Sequence, residues 1–302
     1  MTSFWTELLG GTVGGVVGIT VVYPLDTVKC RLQISGHSRY ASPTHVFTSM
    51  VRQEGVFSLY RGILSPVAGY GAMFAAAFAA YGAAGRWLLR QRGAQEGDPL
   101  TLTEKTVAGG WSGLANSPLR QVFERVKSVM QVRQTRQGAA PYSWSGACAL
   151  DLVRKEGFEM GLLRGMGATM IREPMQFAVY YPVYEVVKSY LLDEGGGRGG
   201  GGGKLEPVYA LLLAGGIAGC ATWLPPIYCV DVVKTRMQTA DPGTYAGVWD
   251  CAVKIQRAEG TAVFFRGLGP SLLRAFPLHA MVFLGFECTV SLIRDGLPAM
   301  NI

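Results

Sequence analysis

One ten-residue pattern occurs three times in this chain, and it limits the available folds more than any other feature. Residues 24–33 read PLDTVKCRLQ, residues 122–131 read VFERVKSVMQ and residues 229–238 read CVDVVKTRMQ. The acids Asp26, Glu124 and Asp231 lie 98 and 107 residues apart. Three residues after each comes Lys29, Lys127 or Lys234, and the blocks end on Gln33, Gln131 and Gln238. A second element follows each block: EGVFSLYRG at 54–62, EGFEMGLLRG at 156–165 and EGTAVFFRG at 259–267. Self-similarity of this kind marks one supersecondary unit used repeatedly. The unit reads as apolar helix, charged block, short amphipathic helix, Glu-Gly turn, apolar helix.

The repeats are placed at 1–93, 98–194 and 204–296. Between the second and third lies GGGRGGGGG, residues 195–203, whose composition is that of a flexible linker. The Gly-Lys that follows it does not make a phosphate-binding loop. Such a loop needs glycine at 198 and Ser or Thr at 205, where this chain has Arg198 and Leu205, and no strand is expected before it.

Composition says what surrounds the repeats. Hydrophobic residues make up 49% of the 302 and charged residues only 16%, against about 25% charged in a soluble domain. Six runs, at 8–28, 66–89, 104–124, 167–190, 208–230 and 269–291, reach the roughly 20 residues needed to cross a hydrocarbon core of about 30 Å. The expected fold is an all-α membrane protein, with six transmembrane helices in a pseudo-threefold bundle and short amphipathic helices at one end. The 41 glycines suit helices that pack closely in a membrane. The net charge of +7 is scattered rather than clustered with aromatics, so no nucleic-acid partner is indicated. Six cysteines and three histidines show no metal-ligand spacing, and no nucleophile–base pair stands out. No metal, cofactor or enzymatic activity is expected. The first residues carry no secretory or Arg-rich presequence.

Charge inside apolar helices is costly and should face a water-filled interior or a partner. An acid at i and a lysine at i+3 share a helix face. Three such helices around a threefold axis can pair Asp26, Glu124 and Asp231 with the lysines of neighbouring repeats and close a ring. If exposed to water, each pair contributes about 0–1 kcal/mol, weak enough for a gate that opens repeatedly. The plainer reading is a set of ordinary helix-end surface pairs.

These residues resemble the signature of the mitochondrial carrier family, Pro-x-acid-x-x-base-x-base-x-Gln, over nearly the whole chain. The first block matches from Pro24 to Gln33. The second has Val122 for the proline and Val129 for the second base, and the third has Cys229 for the proline. Prolines occur about one turn earlier, at Pro118 and at Pro225 and Pro226, so kinks displaced by a turn are expected there. The resemblance implies a multi-pass protein of the mitochondrial inner membrane, monomeric, in contact with cardiolipin and needing no cofactor. It would exchange small substrates through one central site by alternating access. It also implies that Gln33, Gln131 and Gln238 brace the matrix-side gate. On the cytoplasmic side the matching gate residues are Glu185 and Lys188 after Tyr184, and Glu287 after Phe286.

The resemblance implies substrate contacts on the even-numbered transmembrane helices, about one-third of the way in, and repeat alignment places them eight and nine residues after the arginine of each Arg-Gly. Here these positions are Gly69 and Tyr70, Arg172 and Glu173, and Arg274 and Ala275. Arg274 can grip a carboxylate with its fork. Glu173 can hold an ammonium group, and Tyr70 or Trp223 can face a quaternary ammonium. The implied substrate is a zwitterion. An Arg172–Glu173 pair that merely neutralises itself is the structural alternative. Within the family, residues 124–131, 238–245 and 274–287 are similar to the carnitine/acylcarnitine carriers and their basic-amino-acid relatives, and the last two segments look more like the carnitine branch. Arg172-Glu173 looks more like the ornithine-type basic-amino-acid carriers. Carnitine or acylcarnitine is placed ahead of basic amino acids, with a non-transporting membrane scaffold as the reading from another class.

Overall fold

The computed structural model describes residues 4–34, 40, 42–95, 97–132, 142–192 and 207–294. The glycine-rich linker expected at 195–203 lies outside them. The described residues form ten α-helices: α1 (Phe4–Ile34), α2 (Pro43–Glu54), α3 (Leu64–Arg92), α4 (Leu102–Val132), α5 (Ser145–Leu162), α6 (Met166–Leu192), α7 (Pro207–Ala221), α8 (Pro225–Thr239), α9 (Val248–Glu259) and α10 (Leu268–Arg294). Short 3-10 turns occupy Val56–Tyr60 and Thr261–Phe265. The long helices pack in a closed ring, α1–α3–α4–α6–α7–α10, with α10 returning against α1.

Side-chain placement is the reverse of a soluble bundle. Leu9, Val13, Val17 and Val21 form an exposed apolar stripe along α1 at four-residue spacing, while Asp26, Lys29, Arg172 and Glu173 are buried inside. Residues Leu9–Ile34 and Val56–Arg92 are long and apolar enough to be spans by themselves. The pair Tyr209–Ala221 and Pro225–Thr239 qualifies as one broken span, bent by 67°. α4 and α6 are long enough but carry charge, and the ion pairs below show what that charge meets.

The bend has a local cause. Pro225 pushes the residue before it out of the helical region, and Leu224 is extended at ψ 147°. α1 and α4 continue through Pro24 and Pro118 without such a break. The displaced kink therefore appears as a break in the third repeat only, where two prolines stand together.

The short helices repeat one packing scheme. Val46 and Met50 on α2, Cys148 and Leu152 on α5, and Cys251 and Ile255 on α9 are the buried i, i+4 pairs. They meet Val28 and Leu32, Val126 and Met130, and Val233 of the preceding long helices. Burial pushes the Cys251 thiol up to about 12, so it is a packing group at neutral pH. The Arg-Gly glycines Gly62, Gly165 and Gly267 have φ of 84°, 88° and 85°, a region only glycine enters freely. The carbonyl just before each accepts a hydrogen bond from Tyr23 Oη (3.0 Å), Gln121 Nε2 (2.5 Å) or Tyr228 Oη (2.7 Å). These donors sit three residues before the acids, so each turn fixes the register of the charged face beside it.

Candidate functional site

Three cross-repeat ion pairs close the end of the bundle that carries α2, α5 and α9. Lys127 Nζ is 2.5 Å from Asp26 Oδ2, Lys29 Nζ is 2.7 Å from Asp231 Oδ2, and Lys234 contacts Glu124. The six side chains are between 3% and 23% exposed, so the small contribution of a water-exposed pair does not apply to them. In this state they are buried pairs, and deleting one partner costs about 3–5 kcal/mol because it strands a charge.

The glutamines pair less uniformly than the repeat suggests. Gln33 Nε2 donates to Asp231 Oδ2 (2.9 Å) and to Tyr228 Oη (3.3 Å). Gln131 Nε2 donates to Thr27 Oγ1 (3.0 Å), and Gln238 Nε2 to Gln121 Oε1 (3.0 Å). Among the described residues, Gln33 is the one of the three that hydrogen-bonds a ring acid.

The arginines at the expected contact positions are drawn onto the ring. Arg274 Nη1 is 2.6 Å from Asp26 Oδ1, and Arg172 Nε is 2.9 Å from Asp231 Oδ1. Arg172 Nη1 also donates to Glu173 Oε1 at 2.6 Å. Trp223 is buried with three cations about its ring: Lys29 Nζ at 4.1 Å, Arg274 Cζ at 5.1 Å and Arg172 Cζ at 5.6 Å from the centroid. In this closed arrangement the protein's own cations lie on the ring expected to face a substrate ammonium. Tyr70 packs on Gly15 and stacks on Phe74 at 5.7 Å. Arg120, Asp26, Arg274 and Glu124 are the charges within electrostatic reach of its hydroxyl. Gly69 and Ala275 are packing positions: an added Cβ at Gly69 would lie 2.4 Å from the Phe123 ring, and Ala275 packs with Trp223 and Val232.

Sequence reasoning missed Arg120. Its Nη1 is 3.4 Å from Glu124 Oε1 and its Nε 2.8 Å from Glu173 Oε2. The available signal was an arginine four residues before a ring acid inside an apolar helix, a functional-site candidate by default. With Arg120 counted, six bases and four acids form two ion-pair groups, Lys127–Asp26–Arg274 and a seven-residue group around Asp231, Glu173 and Glu124, which meet at the Trp223 ring and together carry two surplus positive charges. Six buried side-chain polar atoms lack a hydrogen-bond partner among the described residues, and Arg120 Nε, Arg172 Nε, Glu173 Oε2 and Arg274 Nε are four of them. The Nε atoms of Arg120 and Arg172 lie within ion-pair range of carboxylates, but their N–H bonds aim elsewhere. The layer thus holds directed donors for another acceptor.

A band of rings, also missed, crosses the interior further along. Tyr81 stacks on Tyr181 at 4.7 Å and Tyr180 on His279 at 5.2 Å, joining α3, α6 and α10, which are not neighbours in the helix ring. The signal was the spacing of Phe177, Tyr180, Tyr181 and Tyr184 on α6. At the far end Glu185 pairs with Lys105 of its own repeat at 2.8 Å rather than across repeats. Lys188 makes no ion pair among the described residues, and the Glu287 side chain lies outside them.

Three tandem matches to the family model described as mitochondrial carrier protein cover residues 1–92, 98–195 and 204–297. The chain belongs to the mitochondrial carrier family. It is a multi-pass transporter of the mitochondrial inner membrane with a small-metabolite substrate, and it is not an enzyme. The carrier is similar to the mitochondrial basic amino acids transporter of Bos taurus, 36% identical over 95% of this chain and 92% of the relative. The human mitochondrial carnitine/acylcarnitine carrier protein is 33% identical over 97% of this chain and 95% of the relative. Protein dif-1 of Caenorhabditis elegans is 33% identical over 97% and 93%.

Proposed function

We propose that this carrier exchanges a zwitterion bearing one carboxylate and one cationic nitrogen, with carnitine and its esters ahead of dibasic amino acids. The observation that supports this reading is the surplus of two positive charges in the central network. A carboxylate entering that layer lowers the surplus locally, and Arg274, with its Nε unpartnered, is the group to receive it. A zwitterion adds no net charge to a site of low dielectric, whereas a dibasic amino acid adds one more positive charge. The ring band on α3, α6 and α10 offers aromatic faces to an ammonium group or apolar area to an acyl chain.

Binding and gating share side chains. Asp26 has two basic partners, Lys127 and Arg274, and Asp231 has Lys29 and Arg172. A substrate carboxylate that takes Arg274 leaves Asp26 with one partner and weakens the ring from inside. The substrate therefore lowers the barrier to opening by its preference for one state over the other. Dibasic amino acids are the second reading, favoured by the presence of Glu173 and by the name of the Bos taurus relative.

The test is exchange by the purified carrier in liposomes loaded and challenged with carnitine, acetylcarnitine, palmitoylcarnitine, ornithine, lysine, arginine, ADP or malate. Exchange of carnitine or its esters is expected to exceed all others. Exchange confined to ornithine, lysine and arginine would move the carrier to the second reading. Absence of exchange with every compound, in protein that melts cooperatively, would favour a non-transporting scaffold.

A further inference from the structure

Threefold symmetry places one arginine over each ring acid, and the chain supplies two from the expected position. Arg274, eight residues past Arg266, meets Asp26, and Arg172, eight past Arg164, meets Asp231. The third equivalent, eight past Arg61, is Gly69, where the Phe123 ring leaves no room for even a Cβ. Glu124 receives its guanidinium from α4 instead: Arg120 Nη1 stands 3.4 Å from Glu124 Oε1. From that position Arg120 also reaches Glu173. Its Nε lies 2.8 Å from Glu173 Oε2, while Arg172 holds Glu173 Oε1 at 2.6 Å. The Glu173 side chain is 0% exposed and sits between two guanidinium groups.

We infer that Arg120 is a specificity-determining residue: its guanidinium, 2.8 Å from Glu173 Oε2, offsets that carboxylate by charge and sets a like charge beside any second ammonium group, and so selects substrates with one cationic nitrogen against dibasic ones. The inference rests on the zwitterion reading above. Its chemistry is selection by an opposing charge: a second substrate cation would meet a carboxylate already neutralised and a guanidinium beside it, a like-charge contact that discriminates strongly. Arg120 does not need to touch the carried molecule to do this, so it is a positioning residue acting through Glu173.

The experiment measures initial uptake of labelled carnitine and ornithine, side by side, into liposomes holding wild type, Arg120→Gln, Arg120→Lys or the double variant Arg120→Gln with Glu173→Gln. Arg120→Gln frees Glu173 and is expected to raise the ornithine-to-carnitine uptake ratio at least roughly tenfold. Arg120→Lys keeps the charge without the fork and should shift the ratio less. The double variant removes both charges, leaves neither stranded by the other, and should return the ratio toward wild type. A ratio unchanged in Arg120→Gln, whether both rates fall together or neither moves, would overturn the inference, because Arg120 would then be only a structural or gate partner. If Arg120→Gln does not give a cooperative melt, the double variant decides: a raised ratio there would show that Glu173 is not the cause. The wild-type arm tests the zwitterion reading separately, since wild type that carries ornithine and no carnitine defeats that reading whatever the variants do.

Discussion

The three junctions between repeats are built to one plan, and the junction from the second repeat to the third departs from it. At the first, Arg31 Nη2 donates to Glu54 Oε2 at 2.8 Å, and its Nε crosses to the Gln131 carbonyl at 3.1 Å. Where the third repeat meets the first, Arg236 Nη1 donates to Glu259 Oε1 at 2.7 Å and its Nε crosses to the Gln33 carbonyl. The corresponding residue of the second repeat is Val129, which cannot make either contact. Arg125 reaches Glu156 (3.3 Å) in its place, but its Nε turns to Gly161 of its own repeat (3.1 Å). Arg164 Nη1 crosses to the Ala240 carbonyl at 2.7 Å, but Arg266 Nη2 makes the matching bond to the Tyr40 carbonyl at 2.7 Å where the third repeat meets the first, so the second seam is one crossing bond short. A cavity of about 310 Å³ lies at this junction, lined by Val129, Arg125, Lys155, Thr239 and Asp241. The comparison teaches that one base can be lost from a repeat when a neighbouring arginine takes over its carboxylate, at the cost of one crossing bond and a looser seam.

The strongest way to break that comparison is to remove one ring acid at a time. Asp26 and Asp231 are only 6% exposed at the side chain, whereas Glu124, though within ion-pair range of Lys234, Arg120 and Arg172, is 23% exposed and so less dependent on its partners. Asp26→Ala and Asp231→Ala should abolish exchange and lower stability by about 3–5 kcal/mol, with Glu124→Ala costing less. Exchange rates and melting temperature of the three variants check the order. Equal losses would mean that the second repeat's seam is as tight as the others. A charge swap of Asp26 with Lys127 is a poorer test, because a lysine at 26 would face Arg274.

How much of this was readable beforehand follows from where each side chain finds its partner. The ring residues were legible because an acid, a lysine at i+3 and a threefold repeat fix a face and a register within one helix. The burial of the pairs was not legible, since it depends on how closely three helices approach. Arg120 escaped for a related reason. Repeat alignment pointed to Gly69, and nothing local to α4 says that Phe123 fills that space or that Glu173 lies opposite. Trp223 was legible as an aromatic beside the site, but not as the surface on which three of the protein's own cations rest.

A smaller effect sharpens the contrast between crossing and non-crossing arginines. Arg31→Ala and Arg236→Ala each lose a bond to a carboxylate and one to a neighbouring repeat. Arg125→Ala loses bonds only within its own repeat. Hydrogen bonds to charged groups contribute about 1.5–3 kcal/mol each. The first two variants should therefore unfold at lower temperature than Arg125→Ala and raise the rate at which the ring opens. Hydrogen exchange of α8 and α1 amides gives the readout: faster exchange in the crossing variants than in Arg125→Ala is expected, and the reverse order would place the seam's strength elsewhere.

The mildest test rebuilds the missing base. Val129→Arg places a guanidinium where the other two repeats have one, beside Glu156 and a cavity large enough to receive it. Val129 is only partly buried and packs at the edge of the Val126–Leu152 cluster, so the exchange costs little apolar contact. One new bond across the seam should add about 0.5–1.5 kcal/mol to the closed state. Melting temperature should rise slightly and the exchange rate should fall, because the same bond must break in each cycle. A rise in stability with no change in rate would mean that this seam stays shut during transport and that opening proceeds at the other two. A fall in stability would mean that Arg125 and Arg164 already saturate Glu156, and that a third guanidinium meets repulsion rather than a partner.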